Sequence, residues 1–265
     1  MLPYPSINPI IIKIGPLQIR WYGIMYLLGF LAAYFLIARQ PKARSMGLFG
    51  ERLQDLIFHL FLGLIIGARL GYVLIYQFAN LKDYIRHPLE IIAVWHGGMS
   101  FHGGLVGAFI AGLIFCRRRH FPFWATADKV IVTAPVGLGL GRIGNFINGE
   151  LFGRPTTVPW GMVFPGGGPL PRHPSQLYEA FLEGLVLFLI LWRLKDLDLK
   201  PGALVCAFLF FYGVFRFFLE FFRQPDPQLG LVIGFLSMGQ ILCLGMIAAA
   251  IGLYLILPGN NRPKI

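Results

Sequence analysis

The chain has 265 residues, 56% of them hydrophobic and only 13% charged, with a formal net charge of +11. A soluble domain carries roughly a quarter charged residues, so this composition excludes an ordinary soluble fold and predicts an all-α, polytopic integral membrane protein. The basic residues are scattered between apolar runs, which argues against a nucleic-acid binder and for inner-membrane topology with attraction to anionic lipid.

In chain order, the N-terminal MLPYPSINPI has no basic region leading into an apolar stretch and is not read as a cleavable signal peptide. About seven transmembrane helices are expected, at Ile19–Ala38, Leu53–Phe78, Gly97–Cys116, Phe123–Leu140, Ser175–Leu194, Ala203–Phe222 and Phe235–Leu257, each close to the ~20 residues a helix needs to cross. They form one transmembrane domain over residues 1–265. Gly149–Arg172 is rich in glycine and proline and too polar to span. It reads as a small extracytoplasmic cap, residues 149–172, inserted between spans four and five. Met1–Gln18 and Asn80–Trp95 read as amphipathic arms along the interface. Cys116, Cys206 and Cys243 sit in or at the ends of apolar runs, as small core residues and not a disulfide framework.

Orientation follows from the loops. One set carries Arg39, Lys42, Arg44, Arg52, Arg117, Arg118, Arg119, Arg193, Lys195, Lys200, Arg262 and Lys264; the opposite set carries Lys13, Arg20, Lys82, Arg86, Arg154, Arg172 and Arg223. Placing the richer set inside puts the N-terminus outside and the C-terminus in the cytoplasm.

Polar groups at the span ends mark candidate chemistry, because charge in a hydrocarbon environment is costly unless it faces water, a partner or a ligand. GRIGNFINGE (Gly141–Glu150) holds Arg142, Asn145, Asn148 and Glu150 directly after an apolar, glycine-rich run. Arg142 and Asn145 share a helix face if the helix continues, and a guanidinium fork suits phosphate. The structural alternative is a helix end paired with a carboxylate such as Glu150. In FYGVFRFFLEFFRQP, Tyr212, Arg216, Glu220 and Arg223 form one polar stripe. Arg216 and Glu220 can pair within the helix, yet two arginines from different spans, Arg142 and Arg216, also suit a phosphodiester.

HGGMSFHGG places His102 near the outer end of a span, where it can exchange protons near neutral pH or simply pack against small residues. The six-residue spacing of His96 and His102 does not put both on one helix face, so no metal site is expected. In RHPSQLYE, Pro174 fits a first helical position with His173 as cap, and Glu179 and Glu183 are one turn apart. Unpaired, those carboxylates would repel, so one is protonated or bonded to an arginine. Tyr22 is either an interfacial anchor or a site donor, and Arg69 and Tyr72 share one face.

WYGIMY (Trp21–Tyr26), GGMSFHGG (Gly97–Gly104), GRIGNFINGELFGR (Gly141–Arg154), RHPSQLYE (Arg172–Glu179) and YGVFRFFLEFFRQPD (Tyr212–Asp226) together resemble the bacterial prolipoprotein diacylglyceryl transferase family, in family order and across nearly the whole chain. His96 is not carried over. The resemblance implies transfer of the diacylglyceryl group of phosphatidylglycerol to the lipobox cysteine of a prolipoprotein signal peptide, as a thioether, with release of glycerol 1-phosphate. Its partners are then phosphatidylglycerol, lipobox-bearing prolipoproteins and membrane lipid, without nucleic acid, metal or other cofactor. On that basis His102 is expected to be the base, Arg142 and Arg216 to stabilise the leaving phosphate, and Tyr22, Asn145, Asn148, Glu150, Tyr212, Glu220 and Arg223 to bind substrate. The competing classes are a lipid transporter or flippase, which the broken glycine-rich span fits loosely, and a non-catalytic membrane scaffold.

Overall fold

A computed structural model of the chain describes residues 2–15, 17–94, 97–224, 231–233 and 236–257; His96 lies outside them. The chain is mostly helical. It divides into two compact units, one of Met1–Ile37 with Asp128–Ile265, the other of Ala38–Ala127.

The first unit begins with an antiparallel hairpin, β1 (Ile10–Ile14) and β2 (Leu17–Arg20). A run of β-branched isoleucines followed by Gly15 at φ +57° favours a strand and turn over a helix. The expected all-α fold is therefore corrected here, and again at the short hairpin β3 (Leu231–Ile233) and β4 (Leu236–Ser237). The apolar α1 (Trp21–Ala38) follows.

In the second unit, α2 (Pro41–Ser45) leads to α3 (Glu51–Gly71), which passes into a π-helical turn at Tyr72–Tyr76. The segment expected as an interfacial arm holds two short helices, α4 (Leu81–Arg86) and α5 (Leu89–Ile92). α6 (Phe101–Arg119) starts at Ser100, whose hydroxyl accepts from the Gly103 amide at 3.1 Å, and ends at His120 in the left-handed region. α3 and α6 cross antiparallel through glycine. A Cβ on Gly67 would sit 2.3 Å from the Gly103 carbonyl, and one on Gly107 would sit 2.1 Å from that of Gly63. Small residues four apart let two backbones touch where lipid supplies no hydrophobic drive for helix pairing.

α7 (Phe123–Ile131) and α8 (Ala134–Ile147) form a pair bent by 41°, broken where Pro135 opens α8. α9 (Ser175–Glu179) continues through a π-helical stretch, Ala180–Val186, into α10 (Leu187–Leu194). α11 (Ala203–Leu219) begins where the buried Asp128 carboxylate accepts the amides of Gly202, Leu204 and Val205. α12 (Met238–Ile256) opens with a capping box between Ser237 and Gln240.

Helices therefore occupy the expected apolar segments, but among the described residues three are long and apolar enough to cross a membrane, or four if the bent pair counts as one. The glycines, His102 and closing arginines of α6, the division of Ser175–Leu194 into α9, a π-helical stretch and α10, and the 17-residue length of α11 set those segments apart from that measure. Residues 149–172 contain no helix and are joined by backbone bridges such as Met162 with Arg172.

Candidate functional site

The site in the first unit begins with a close helix crossing. A Cβ on Gly184 would lie 2.8 Å from the Gly139 Cα, so α8 meets the π-helical stretch backbone to backbone. Arg142 lies three residues past Gly139, and Glu179 and Glu183 lie just before Gly184. The crossing therefore brings the guanidinium onto the carboxylates, with Arg142 Nε 2.8 Å from Glu179 Oε2 and 3.9 Å from Glu183 Oε2.

α11 completes the cluster. Arg216 donates to Glu179 Oε2 at 2.9 Å and lies 3.6 Å from Glu183 and 3.4 Å from Glu220. Arg223 reaches Glu179 at 3.5 Å and Glu220 at 3.7 Å. Glu220 is tied to the start of α12, where the Ser237 hydroxyl donates to it at 3.3 Å and Gly239 leaves it room, since a Cβ there would lie 2.7 Å from Glu220 Oε1. Three arginines thus face three carboxylates.

The cluster is asymmetric. Glu179 and Glu183 are 0% and 1% exposed, whereas Arg142, Arg216 and Arg223 keep 20%, 15% and 17% of their side chains open. Arg142 makes its closest approach to both glutamates through Nε, and its terminal nitrogens form no hydrogen bond among the described residues. The Glu183 oxygens are buried without a hydrogen bond. Isolated buried carboxylates are costly, so the anions lie beneath as supports and the cations present a fork suited to phosphate.

Tyr22 packs on this end of α8, its ring 2.9 Å from where a Gly144 Cβ would stand, and its hydroxyl is 3.4 Å from that of Tyr26. Tyr212 stacks on Phe208. Asn145 and Asn148 both donate to Glu150 Oε1, at 2.9 and 3.1 Å. Glu150 is therefore held by the asparagines, and the expected Arg142–Glu150 pair is replaced by Arg142–Glu179. The cause is the turn at Gly149, φ +66°, which ends α8 and carries Glu150 off its face. The Gln176 side chain donates to the Glu150 carbonyl at 2.6 Å, and Pro174, not His173, stands at the N-cap of α9.

Around the site, the Tyr4 hydroxyl donates to the carbonyls of Phe146 and Ile147 at 2.7 and 3.1 Å, capping α8; burial raises its pKa. Arg172 donates to the carbonyls of Gly167 and Gly153 and to Gln224. Trp160 donates to the Tyr178 hydroxyl, which lies 3.2 Å from His173 Nδ1.

In the second unit, His102 is an exposed residue in the first turn of α6, edge-on to Phe101. Arg69 is buried and commits four of its five N–H groups: it donates to the carbonyls of Glu90, Ile91, Gly97 and Gly98 and lies over the Tyr72 ring. Ser237 and Gly239 are the features that residue spacing did not single out, and Glu179, expected to be bonded to an arginine because Glu183 lies one turn away, proves to be the hub that Arg142, Arg216 and Arg223 share.

The sequence model of the prolipoprotein diacylglyceryl transferase family matches residues 9–256. The chain belongs to that family. A relative from Desulfotalea psychrophila is 52% identical over 256 residues, 94% of this chain and 93% of its own. One from Geobacter sulfurreducens is 54% identical over 245 residues, 92% and 93% of the two chains, and one from Coxiella burnetii is 54% identical over 252 residues, 93% and 94%. All three are named phosphatidylglycerol–prolipoprotein diacylglyceryl transferase. These names do not favour a lipid transporter.

Proposed function

We propose that this chain transfers the diacylglyceryl group of phosphatidylglycerol to the lipobox cysteine of a prolipoprotein. The single observation that carries the reading, beside family membership, is the open Arg142 fork over a buried carboxylate floor. The thiolate sulfur bonds to the glycerol carbon that bears the phosphate, the carbon–oxygen bond breaks, and glycerol 1-phosphate leaves with both electrons. A thiol of pKa about 8.5 is mostly protonated at neutral pH, so a base is needed, and His102 takes that role. Arg142 and Arg216 neutralise charge growing on the leaving phosphate. Tyr22, Asn145, Asn148, Glu150, Tyr212, Glu220 and Arg223 bind and orient the substrate. The nucleophile belongs to the substrate, so the chemistry needs no cysteine from this chain.

The same reading makes residues 1–265 one membrane domain of seven spans in the bacterial inner membrane, N-terminus outside, with residues 149–172 as an outer cap beside the chemistry. The loop charges and the apolar helices support it.

The test is reconstitution with phosphatidylglycerol and a lipobox peptide. Glycerol phosphate release and a diacylglyceryl mass shift, both lost when the peptide cysteine becomes serine, are expected. Replacing His102 by alanine is expected to lower turnover by roughly 10²–10⁴-fold; near-normal turnover would remove the histidine base from the scheme.

A further inference from the structure

A second arginine cluster, independent of the site above, lies within the second unit where α6 ends beside the start of α3. Arg117, Arg118 and Arg119 close α6. The Asp55 carboxylate Oδ2 accepts from Arg119 Nε at 2.8 Å, with Nη2 at 2.6 Å, while His59 Nδ1 is held by the Asp55 backbone carbonyl at 2.8 Å and lies 3.0 Å from Asp55 Oδ1. This fixes both side chains while leaving Arg119 Nη1 and His59 Nε2 without partners among the described residues. Arg118 has none at all. His59, Arg118 and Arg119, with Phe115 as the floor, line a cavity of about 250 Å³.

A helix C-terminus attracts cations, and loops on one membrane face collect them. Both effects account for three arginines in a row. Neither accounts for one residue, Asp55, that holds Arg119 through its carboxylate and His59 through its backbone carbonyl around a cavity, beside a second arginine left free. Such donors suit a phosphate group.

The surroundings select its source. Ile110, Ile114 and Arg118 fall at i, i+4 and i+8 on α6, and all three are exposed. On α3, the exposed Leu62 and Ile66 continue one face from His59 at i+3 and i+7. Because the helices run antiparallel, both apolar tracks lead away from the cavity in the same direction. The cavity is smaller than the roughly 300–1,000 Å³ of a typical small-molecule site, so it admits a headgroup and leaves the rest outside.

We propose that this cavity binds the headgroup of an anionic phospholipid, the phosphate on Arg118 and Arg119 with His59 Nε2 adding a donor as imidazolium, and the acyl chains along Ile114–Ile110 and Leu62–Ile66. A free phosphate would share the first contacts but not the second. The test uses the full chain in neutral detergent, titrated with dioleoyl phosphatidic acid and followed by native mass spectrometry. Wild type is expected to retain phosphatidic acid in preference to phosphatidylcholine, and equimolar inorganic phosphate is expected not to displace it. Arg118→Gln should weaken retention roughly tenfold, the equivalent of losing one charge-assisted contact, and His59→Gln should weaken it in the same direction. Arg193→Gln, which removes an exposed arginine elsewhere, should leave it unchanged. Equal weakening by Arg118→Gln and Arg193→Gln, equal retention of the two lipids, or displacement by inorganic phosphate would overturn the proposal.

Discussion

Arg69 and Arg142 are both helical arginines near span ends, and the chain uses them in opposite ways. Arg69 is buried and spends its guanidinium on four backbone carbonyls, those of Glu90 and Ile91 on α5 and of Gly97 and Gly98 just before α6. Arg142 meets Glu179 and Glu183 through Nε, keeps 20% of its side chain open, and forms no hydrogen bond through its terminal nitrogens among the described residues. A buried guanidinium with four of its five N–H groups committed to backbone has little left for a ligand and acts as a clamp. An open one, anchored from below by a buried carboxylate, is ready for phosphate before phosphate arrives, and such preorganisation lowers the cost of binding and of charge stabilisation.

The strongest way to break this contrast is truncation of each arginine. Arg142→Ala should lower transferase turnover by roughly 10²–10³-fold, as loss of one preorganised donor does. It should leave the melting temperature close to wild type, because Glu179 keeps Arg216 and Arg223. Arg69→Ala should do the reverse. It strands four carbonyls and should cost about 2–3 kcal/mol of stability, while turnover per folded molecule stays within a factor of a few. Thermal melts beside the reconstituted assay read both; activity loss without stability loss in Arg69→Ala would end its description as a clamp.

A milder change sharpens the same point. Arg142→Lys keeps the charge but replaces a planar fork by a single ammonium. Turnover should fall roughly tenfold, the value of about one lost charge-assisted contact. An unchanged rate would mean that charge alone matters at this position and that the open fork has no use.

Much of this contrast was legible in the residues. Apolar runs near 20 residues located the helical bodies, and the spacing of Arg216, Glu220 and Arg223 placed them on one face. The need to neutralise Glu179 and Glu183 pointed to an arginine partner. What sequence could not carry was which arginine, because that depends on the Gly139–Gly184 crossing between distant segments. Proximity along the chain suggested Glu150 for Arg142, and one turn at Gly149 defeats it. The hairpin at residues 10–20 was missed because β-branched isoleucines at a membrane interface also fit an amphipathic arm. The α3–α6 crossing is written in Gly63, Gly67, Gly103 and Gly107, whose four-residue spacing is visible but gains meaning only once the two helices are paired.

The smallest expected effect concerns His173, which joins the residues 149–172 segment to α9 and α11. Its Nδ1 lies 3.2 Å from the Tyr178 hydroxyl and its ring meets the Phe222 ring edge-on at 5.2 Å. Burial lowers its pKa below the ordinary value of 6.5. The folded state then binds a proton less readily than the unfolded chain. Stability contributed by neutral His173 is fully present above about pH 6.5 and is lost as pH falls from there toward the lower folded value. The residue is half-buried and the shift is a direction without a large size, so the effect is modest: an apparent melting temperature lower at pH 5 than at pH 7 by about a degree or two at most. His173→Gln keeps a hydrogen-bonding side chain without the titration, and subtracting its melting curve from that of wild type over pH 5–7 isolates this group. A difference that grows toward pH 7 in favour of wild type is expected. A flat difference would mean that the proton is accepted equally in both states, and that the contact with Tyr178 and Phe222 does not discriminate against the imidazolium.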